Sequence, residues 1–190
     1  MSEFRIVQKI TGFLGLLTIS VFFVGGLAST ALADTAVSID SNVDETLERF
    51  YKEVGSGKKL IQDAKGVLIF PSVVQGGFGV GGSFGEGSLR INGKTVDYYN
   101  TAMLSVGFQI GLQKKSMIFL CMQDEVLNRL RNSSNWKVGA DAAVTLVNVG
   151  ADGSIDTQKT NEPIIAFVIG QKGLMYNLTL EGTKFTKIIK

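Results

Sequence analysis

Residues 64–87 read AKGVLIFPSVVQGGFGVGGSFGEG, and this stretch decides the fold. An apolar run over 66–70 ends at Pro71, and seven glycines follow between Gly76 and Gly87. Short apolar runs bounded by proline and glycine are typical of buried strands. Glycine at this density indicates either positive φ angles or the close approach of another backbone or a ligand. The stretch therefore predicts strands joined by tight turns or close backbone contacts.

Two glycine patterns in this region could suggest a nucleotide site. Residues 77–82 satisfy G-x-G-x-x-G, but 83–88 are poor helix formers, and a dinucleotide site needs a helix N-terminus there. The Gly-Lys-Thr at 93–95 lacks the earlier glycine that a phosphate loop requires. The Asn-Gly at 92–93 lies between two alternating runs, which predicts a two-residue hairpin turn instead.

The first 33 residues have the pattern of a secretory signal peptide. Arg5 and Lys9 give a charged start, an apolar run covers 13–24, and Ala31-Leu32-Ala33 fits the small-x-small cleavage pattern. The apolar run is shorter than the ~20 residues that a spanning helix needs, so cleavage after Ala33 is expected rather than retention as an anchor. The chain is therefore predicted to be exported, to a bacterial periplasm.

The rest of the chain is the size of one domain. Residues 34–40 are interpreted as a flexible leader and 41–190 as a single domain. The formal net charge of +2 is too weak to indicate a nucleic-acid partner. The single cysteine, Cys121, lies in an apolar run and predicts a buried thiol without an internal disulfide.

The chain contains no histidine. Histidine is the commonest general base and the commonest metal ligand in proteins. No catalytic residues, metal ligands or cofactors are therefore expected. An enzyme of this composition would have to use paired carboxylates, or a lysine with a serine.

Helices are predicted at the start of the domain. Ser41 can cap a helix in which Val43, Leu47, Phe50 and Val54 form an apolar stripe. A second short helix is expected over 56–64. Such helices either pack on a sheet or face lipid, and most amphipathic helices face a core.

Strands predominate from residue 66 onward. Candidate strands cover 66–70, 77–84, 87–91, 94–100, 103–112, 116–122, 142–149, 163–169, 174–180 and a last edge strand at 183–189. A helix over 124–132 interrupts them. The pattern predicts an α+β, β-rich fold with mostly antiparallel sheets, sandwich or barrel-like, with N-terminal helices and one mid-chain helix.

Six blocks of sequence share the order and spacing of one known family. They are AKGVLIFP at 64–71, GGFGVGG at 76–82, GEG at 85–87, DYYN at 97–100, SVGFQIG at 105–111 and SNWKVGAD at 134–141. In these blocks the chain resembles the SYLF domain family, which includes eukaryotic phosphoinositide-binding proteins, yeast actin-binding proteins and exported bacterial proteins. The resemblance covers about 45–187.

The resemblance implies binding of anionic phospholipid or a phosphoinositide-like lipid at a membrane, with an N-terminal amphipathic helix involved. Carried onto this chain, it implies apolar residues that insert into lipid and cations that meet phosphates. These lipid-binding candidates are Leu47, Arg49, Phe50, Tyr51, Lys52, Lys58 and Lys59. An exported protein meets no cytosolic actin, so actin is not an expected partner.

Two other functions remain open from the sequence. One is a non-catalytic structural or protein-interaction module of the cell envelope, which would use the same surface for a protein partner. The other is a carboxylate-based hydrolase, which would require a close, buried pair of Asp or Glu residues in a pocket.

Overall fold

A computed structural model of the chain describes residues 34–149, 152–155, 162–172, 180 and 182–190. The predicted signal peptide lies outside these residues, as does the predicted strand at 174–180 except for its last residue, Leu180. The helices are α1 (Ala36–Glu53), α2 (Gly57–Asp63) and α3 (Asp124–Asn132). The strands are β1 (Gly66–Ile91), β2 (Lys94–Cys121), β3 (Asn135–Lys137), β4 (Thr145–Leu146), β5 (Ile164–Lys172) and β6 (Lys184–Ile188).

The strands form one curled sheet in the order β3-β6-β2-β5-β4, and β1 pairs with β2. Every pairing is antiparallel except that of β4 with β5. The predicted α+β, β-rich class is confirmed, with the N-terminal helices and the mid-chain helix in place. Of the predicted strand at 142–149, only β4 takes strand form.

The centre of the fold is a single long hairpin made of β1 and β2, which have 26 and 28 residues. Its turn is the predicted Asn-Gly pair, with φ of 51° at Asn92 and 77° at Gly93. The predicted strands 66–70, 77–84 and 87–91 are all parts of β1. Pro71 does not end the strand because it lies in a bulge, where its missing N–H breaks no ladder hydrogen bond.

This hairpin folds over on itself, and glycine permits the close crossing. A Cβ at Gly85 would lie 2.7 Å from the carbonyl oxygen of Ser72, and one at Gly87 would collide with the carbonyl of Ile69. The second half of β1 therefore crosses its first half at backbone contact. At the bend itself, a Cβ on Gly77 would collide with Gly81. The glycines thus serve close backbone approach, one of the two roles predicted for them.

The inner core lies between the two halves of the folded hairpin. It contains the rings of Phe70, Phe119 and Phe185, and Trp136 stacks on Phe185 at 5.3 Å. Phe185 is part of β6, which lies between β3 and β2. The prediction of an edge strand at 183–189 is therefore wrong, because β6 is paired on both sides, with β2 and with β3.

The outer core lies between the sheet and the first two helices. Val43, Phe50 and Val54 of the predicted stripe are fully buried there. Helix α1 begins at Ala36 with Thr35 as its N-cap, rather than at Ser41. The residues interpreted as a flexible leader include its first turns, because Ile39 extends the buried stripe by one turn.

Helix α3 occupies the predicted range of 124–132 and buries Val126, Leu127 and Leu130. The thiol of Cys121 is buried as predicted, and burial raises its pKa to about 12. Such a thiol is inert because the reactive thiolate does not form at ordinary pH.

Several polar side chains are buried within β1 and β2, among them two glutamines and a lysine beyond the aromatic core. Gln75, Gln113 and Lys115 are each 2–3% exposed. The Lys115 ammonium donates a hydrogen bond to Gln75 Oε1 at 2.9 Å. Desolvation lowers the pKa of Lys115 to about 8, because burial penalises the charged form.

The crossing of β1 is tested by adding single methyl groups. Gly85→Ala should destabilise the fold by about 3 kcal/mol or more, since neither backbone segment can retreat from the other. Gly55→Ala is the matched control, because its Cβ would make an ordinary contact at 3.7 Å. Denaturant unfolding of both variants measures the difference. Equal stability of the two variants would contradict the close crossing.

The lowered pKa of Lys115 predicts that the free energy of unfolding increases with pH. The folded chain releases this proton near pH 8 and the unfolded chain near pH 10.4, so the unfolded state binds more protons between these values. The Lys115 contribution to the free energy of unfolding therefore rises with pH across this window, by about 3 kcal/mol in total.

Comparison with Lys115→Met isolates this contribution. The stability of the parent protein relative to Lys115→Met should increase between pH 8 and pH 10 in denaturant unfolding. Lys114→Met, at the exposed neighbouring position, controls for the loss of one positive charge. A difference between parent and Lys115→Met that stays constant with pH would refute the assignment.

Candidate functional site

The structure separates the seven residues predicted to bind lipid. Phe50 is 0% exposed, and its ring lies edge-on to Phe167 at 5.0 Å. The stripe that makes α1 amphipathic is therefore the stripe that packs on the sheet. Phe50 is therefore part of the outer core in this structure.

Leu47 and Tyr51 lie at the edge of the outer core. Both are half-buried and line a groove of about 310 Å³ between α1, α2 and the end of the hairpin. Lys58 places its ammonium 5.9 Å from the centre of the Tyr51 ring. Lys52, Lys58 and Lys59 are exposed, and none forms an ion pair within the described part of the chain.

The first helix is tied to the hairpin by a polar network. The Asp40 carboxylate accepts hydrogen bonds at 2.8 Å from both the Thr95 hydroxyl and the Tyr98 hydroxyl. Arg90 lies 2.6 Å from the Asp44 carboxylate and also contacts Asp40. Together with the buried stripe, these bonds hold α1 flat against the sheet.

Arg49 lies apart from the other predicted residues, in a pocket of about 270 Å³ that we call the basic pocket. Its Nη2 donates a hydrogen bond to Ser116 Oγ at 2.7 Å, and that hydroxyl donates to the Pro71 carbonyl at 2.7 Å. Gly170 has a φ of 61°, and a Cβ there would lie 2.9 Å from Arg49 Nη1. The pocket is lined by Asn42, Glu45, Thr46, Arg49, Pro71, Ser72, Lys114, Lys115, Ser116 and Gly170.

The most exposed apolar side chains of β1 and β2 lie where the hairpin folds over, in residues 74–84 and 102–112, here called the hairpin bend. Leu104 is 89% exposed, Leu112 73% and Val80 66%. Phe84 and Val74 are 53% and 43% exposed. Clusters of exposed apolar side chains are uncommon on monomeric proteins and usually mark an interaction surface.

The hairpin bend adjoins the basic pocket. The register pairs Gly82 with Leu104, Gly76 with Leu112 and Val74 with Lys114. Because alternate side chains of a strand share a face, Leu112, Lys114 and Ser116 lie on one face of β2. An apolar surface and a cationic pocket thus follow each other along one strand.

Sequence reasoning missed the hairpin bend, since 77–84 and 103–112 were read as ordinary strands. One signal was present: residues 73–85 and 98–113 contain no charged side chain. Long charge-free strands are usual in a core, so this signal alone could not show that the side chains are exposed.

Catalytic and metal chemistry find little support in this geometry. No Asp or Glu is buried within the described ranges, so the pair that a carboxylate-based hydrolase would need is not found there. The same residues contain no cluster of potential metal ligands. Within the part of the chain that the structure describes, no helix is long and apolar enough to cross a bilayer.

Comparison with known proteins identifies the second half of the chain. Residues 102–188 match the protein-family model Ysc84, described as "Las17-binding protein actin regulator". No curated protein matches the chain. The matched range starts within the hairpin bend and ends with β6, so it includes Leu104, Lys114 and Ser116 but not Arg49. The resemblance to this family that the sequence blocks indicate, the SYLF family, is therefore confirmed over residues 102–188, which match the Ysc84 (SYLF) model.

Proposed function

We propose that this protein is a non-catalytic, membrane-associated module that binds anionic phospholipid through the hairpin bend. The main observation that supports this proposal is the cluster of exposed apolar side chains on a bend without charged residues, next to Lys114. Lipid interfaces accept exposed apolar side chains, and nearby lysines are attracted to anionic headgroups. The proposal keeps the lipid implied by the family resemblance but moves the contact away from α1.

The size of the apolar contribution suits reversible binding. Full burial of a leucine or phenylalanine side chain contributes about 1.5–3 kcal/mol. Leu104 and Leu112 are already the most exposed leucines among the described residues, so both can enter an interface without any change of fold. Lysine near an anionic surface adds about 1 kcal/mol. These contributions to the binding free energy together suit reversible, peripheral attachment to a membrane rather than permanent insertion.

The solvent-facing side of α1 is a weaker candidate for the same role. It exposes Asp44, Glu45 and Glu48 close to Lys52, so this side of the helix carries a net negative charge. The helix also has no free apolar face, because its stripe is buried on the sheet. An anionic surface would therefore gain little by approaching α1.

The expected location follows from the predicted signal peptide. An exported chain meets the outer face of a membrane or the lipids of an envelope, and we propose the bacterial periplasm as its compartment. The family description names a protein, Las17, as a partner. A protein partner docking on the hairpin bend is accordingly the alternative that the experiment must separate from lipid.

Vesicle flotation of residues 34–190, which contain both hydrophobic cores, tests the proposal. The parent protein should float with vesicles of phosphatidylcholine and phosphatidylglycerol. The double variant Leu104→Ser/Leu112→Ser should lose at least about tenfold in partitioning, because two exposed leucines no longer enter the interface. Val96→Ser is the control, an exposed apolar residue beside the hairpin turn and away from the bend.

Flotation of a lysine variant distinguishes the hairpin bend from the N-terminal helices as the surface that contacts lipid. Lys58→Glu/Lys59→Glu should leave flotation close to the parent value if the bend is the contact. A large loss in that variant, with the leucine variant unchanged, would return the contact to the helices. Absence of flotation with any lipid would overturn lipid binding, and a protein partner would then be the occupant of the bend.

A further inference from the structure

We infer that the basic pocket is a binding site for a phosphate group. The inference deepens the proposed lipid binding and rests on it in so far as the phosphate is carried by a lipid headgroup. A soluble phosphate monoester presents the same chemistry, and the experiment below distinguishes the two sources.

The pocket holds positive charge that the described residues do not neutralise. Of the four arginines among them, Arg90, Arg129 and Arg131 each pair with a carboxylate, whereas Arg49 does not. Lys114 also forms no ion pair with a described residue. Among the described residues that line the pocket, Glu45 alone has a carboxylate, and no ion pair joins it to these cations. The pocket is therefore left with an excess of cationic groups.

The Arg49 guanidinium is held in place before any ligand binds. Ser116 accepts from Nη2 while it donates to Pro71, which fixes the hydroxyl and with it the plane of the guanidinium. Gly170 leaves room beside Nη1, where a Cβ would approach to 2.9 Å. The bond to Ser116 uses one of the five N–H donors of arginine. A planar, preorganised fork with donors to spare matches the oxygens of a phosphate.

Lys114 and Lys115 add to the field from the two faces of β2. Lys114 is exposed on the same face as Ser116. Strand alternation turns the Lys115 side chain to the opposite face, where its ammonium is buried against Gln75. A buried charge is poorly screened by solvent and so contributes to the potential across the strand.

The size and lining of the pocket limit the ligand. About 270 Å³ is less than the roughly 300–1,000 Å³ of sites for drug-sized molecules, and it suits one phosphate with a small substituent. Asn42, Thr46 and Ser72 provide further polar groups around the cations. Because Lys114 pairs with Val74, a headgroup in the pocket would sit directly beside the apolar bend.

Titration with inorganic phosphate, followed by amide NMR shifts of residues 34–190, tests the site itself. Saturable shifts are expected at residues 49, 72, 114–116 and 170. Lys114→Gln should weaken phosphate binding several-fold and Arg49→Gln about tenfold or more. Lys52→Gln is the matched control, an exposed cation on the same helix that does not line the pocket, and should change the affinity less than twofold.

Lys114→Gln keeps the test independent of folding, since Arg49 also bonds to Ser116 whereas Lys114 is exposed. Two results would overturn the inference. One is the absence of saturable shifts at these residues, and the other is an equal loss of affinity in Lys52→Gln, which would indicate attraction by general charge.

Flotation with phosphatidic acid vesicles identifies the source of the phosphate. If Lys114→Gln weakens both phosphate binding and flotation, the phosphate is a headgroup. If it weakens phosphate binding alone, the ligand is a soluble monoester. Leu104→Ser/Leu112→Ser should lose flotation and keep phosphate binding. Phosphate binding without any flotation would refute the lipid proposal only, and flotation without phosphate binding would refute this inference only.

Discussion

The fold depends on one close contact, the crossing of β1 over itself at Gly85 and Gly87. Only hydrogen fits between these α-carbons and the backbone of residues 69–73. Because the crossing is possible, one long hairpin encloses its own core, and the aromatic rings around Phe185 fill the space between its halves. The opposite face of the same hairpin then becomes the platform on which α1 and α2 pack.

Among the residues that the structure describes, β1 is the one strand that pairs with β2 over residues 103–112, at the bend of this folded hairpin. The two ends of β1 and β2 are covered by helices and further strands, whereas Leu104 and Leu112 remain in solvent. The helices cannot take over this exposed role, since Asp40 and the buried stripe fix α1 to the sheet. The apolar stripe of α1 thus packs on the sheet, and for this reason we propose the hairpin rather than the helix as the surface that contacts lipid.

Local signals in the sequence were sufficient for local features. The Asn92-Gly93 turn, the range of α3 and the buried face of α1 follow from turn chemistry and periodicity over a few residues. Features set by distant contacts could not be predicted. Pro71 was expected to end a strand, and the bulge that accommodates it could not be foreseen because it depends on pairing with β2. Arg49 likewise bonds to a serine that lies 67 positions away in the sequence.

The exposure of Leu104 illustrates the same limit at the site. Alternation of apolar and polar residues along a strand indicates that one face of the strand is buried. Which residues are exposed to solvent depends on where the hairpin bends. That bend lies at Gly77 and Gly81, and it places apolar side chains next to a pocket that the hairpin forms together with α1 and β5. In the proposed complex, burial of these apolar side chains and attraction between the cations and an anionic ligand act at neighbouring positions of a rigid sheet. Binding then does not cost the conformational entropy of ordering a flexible segment. For this reason we propose that a modest number of exposed side chains is enough for this surface to bind lipid reversibly.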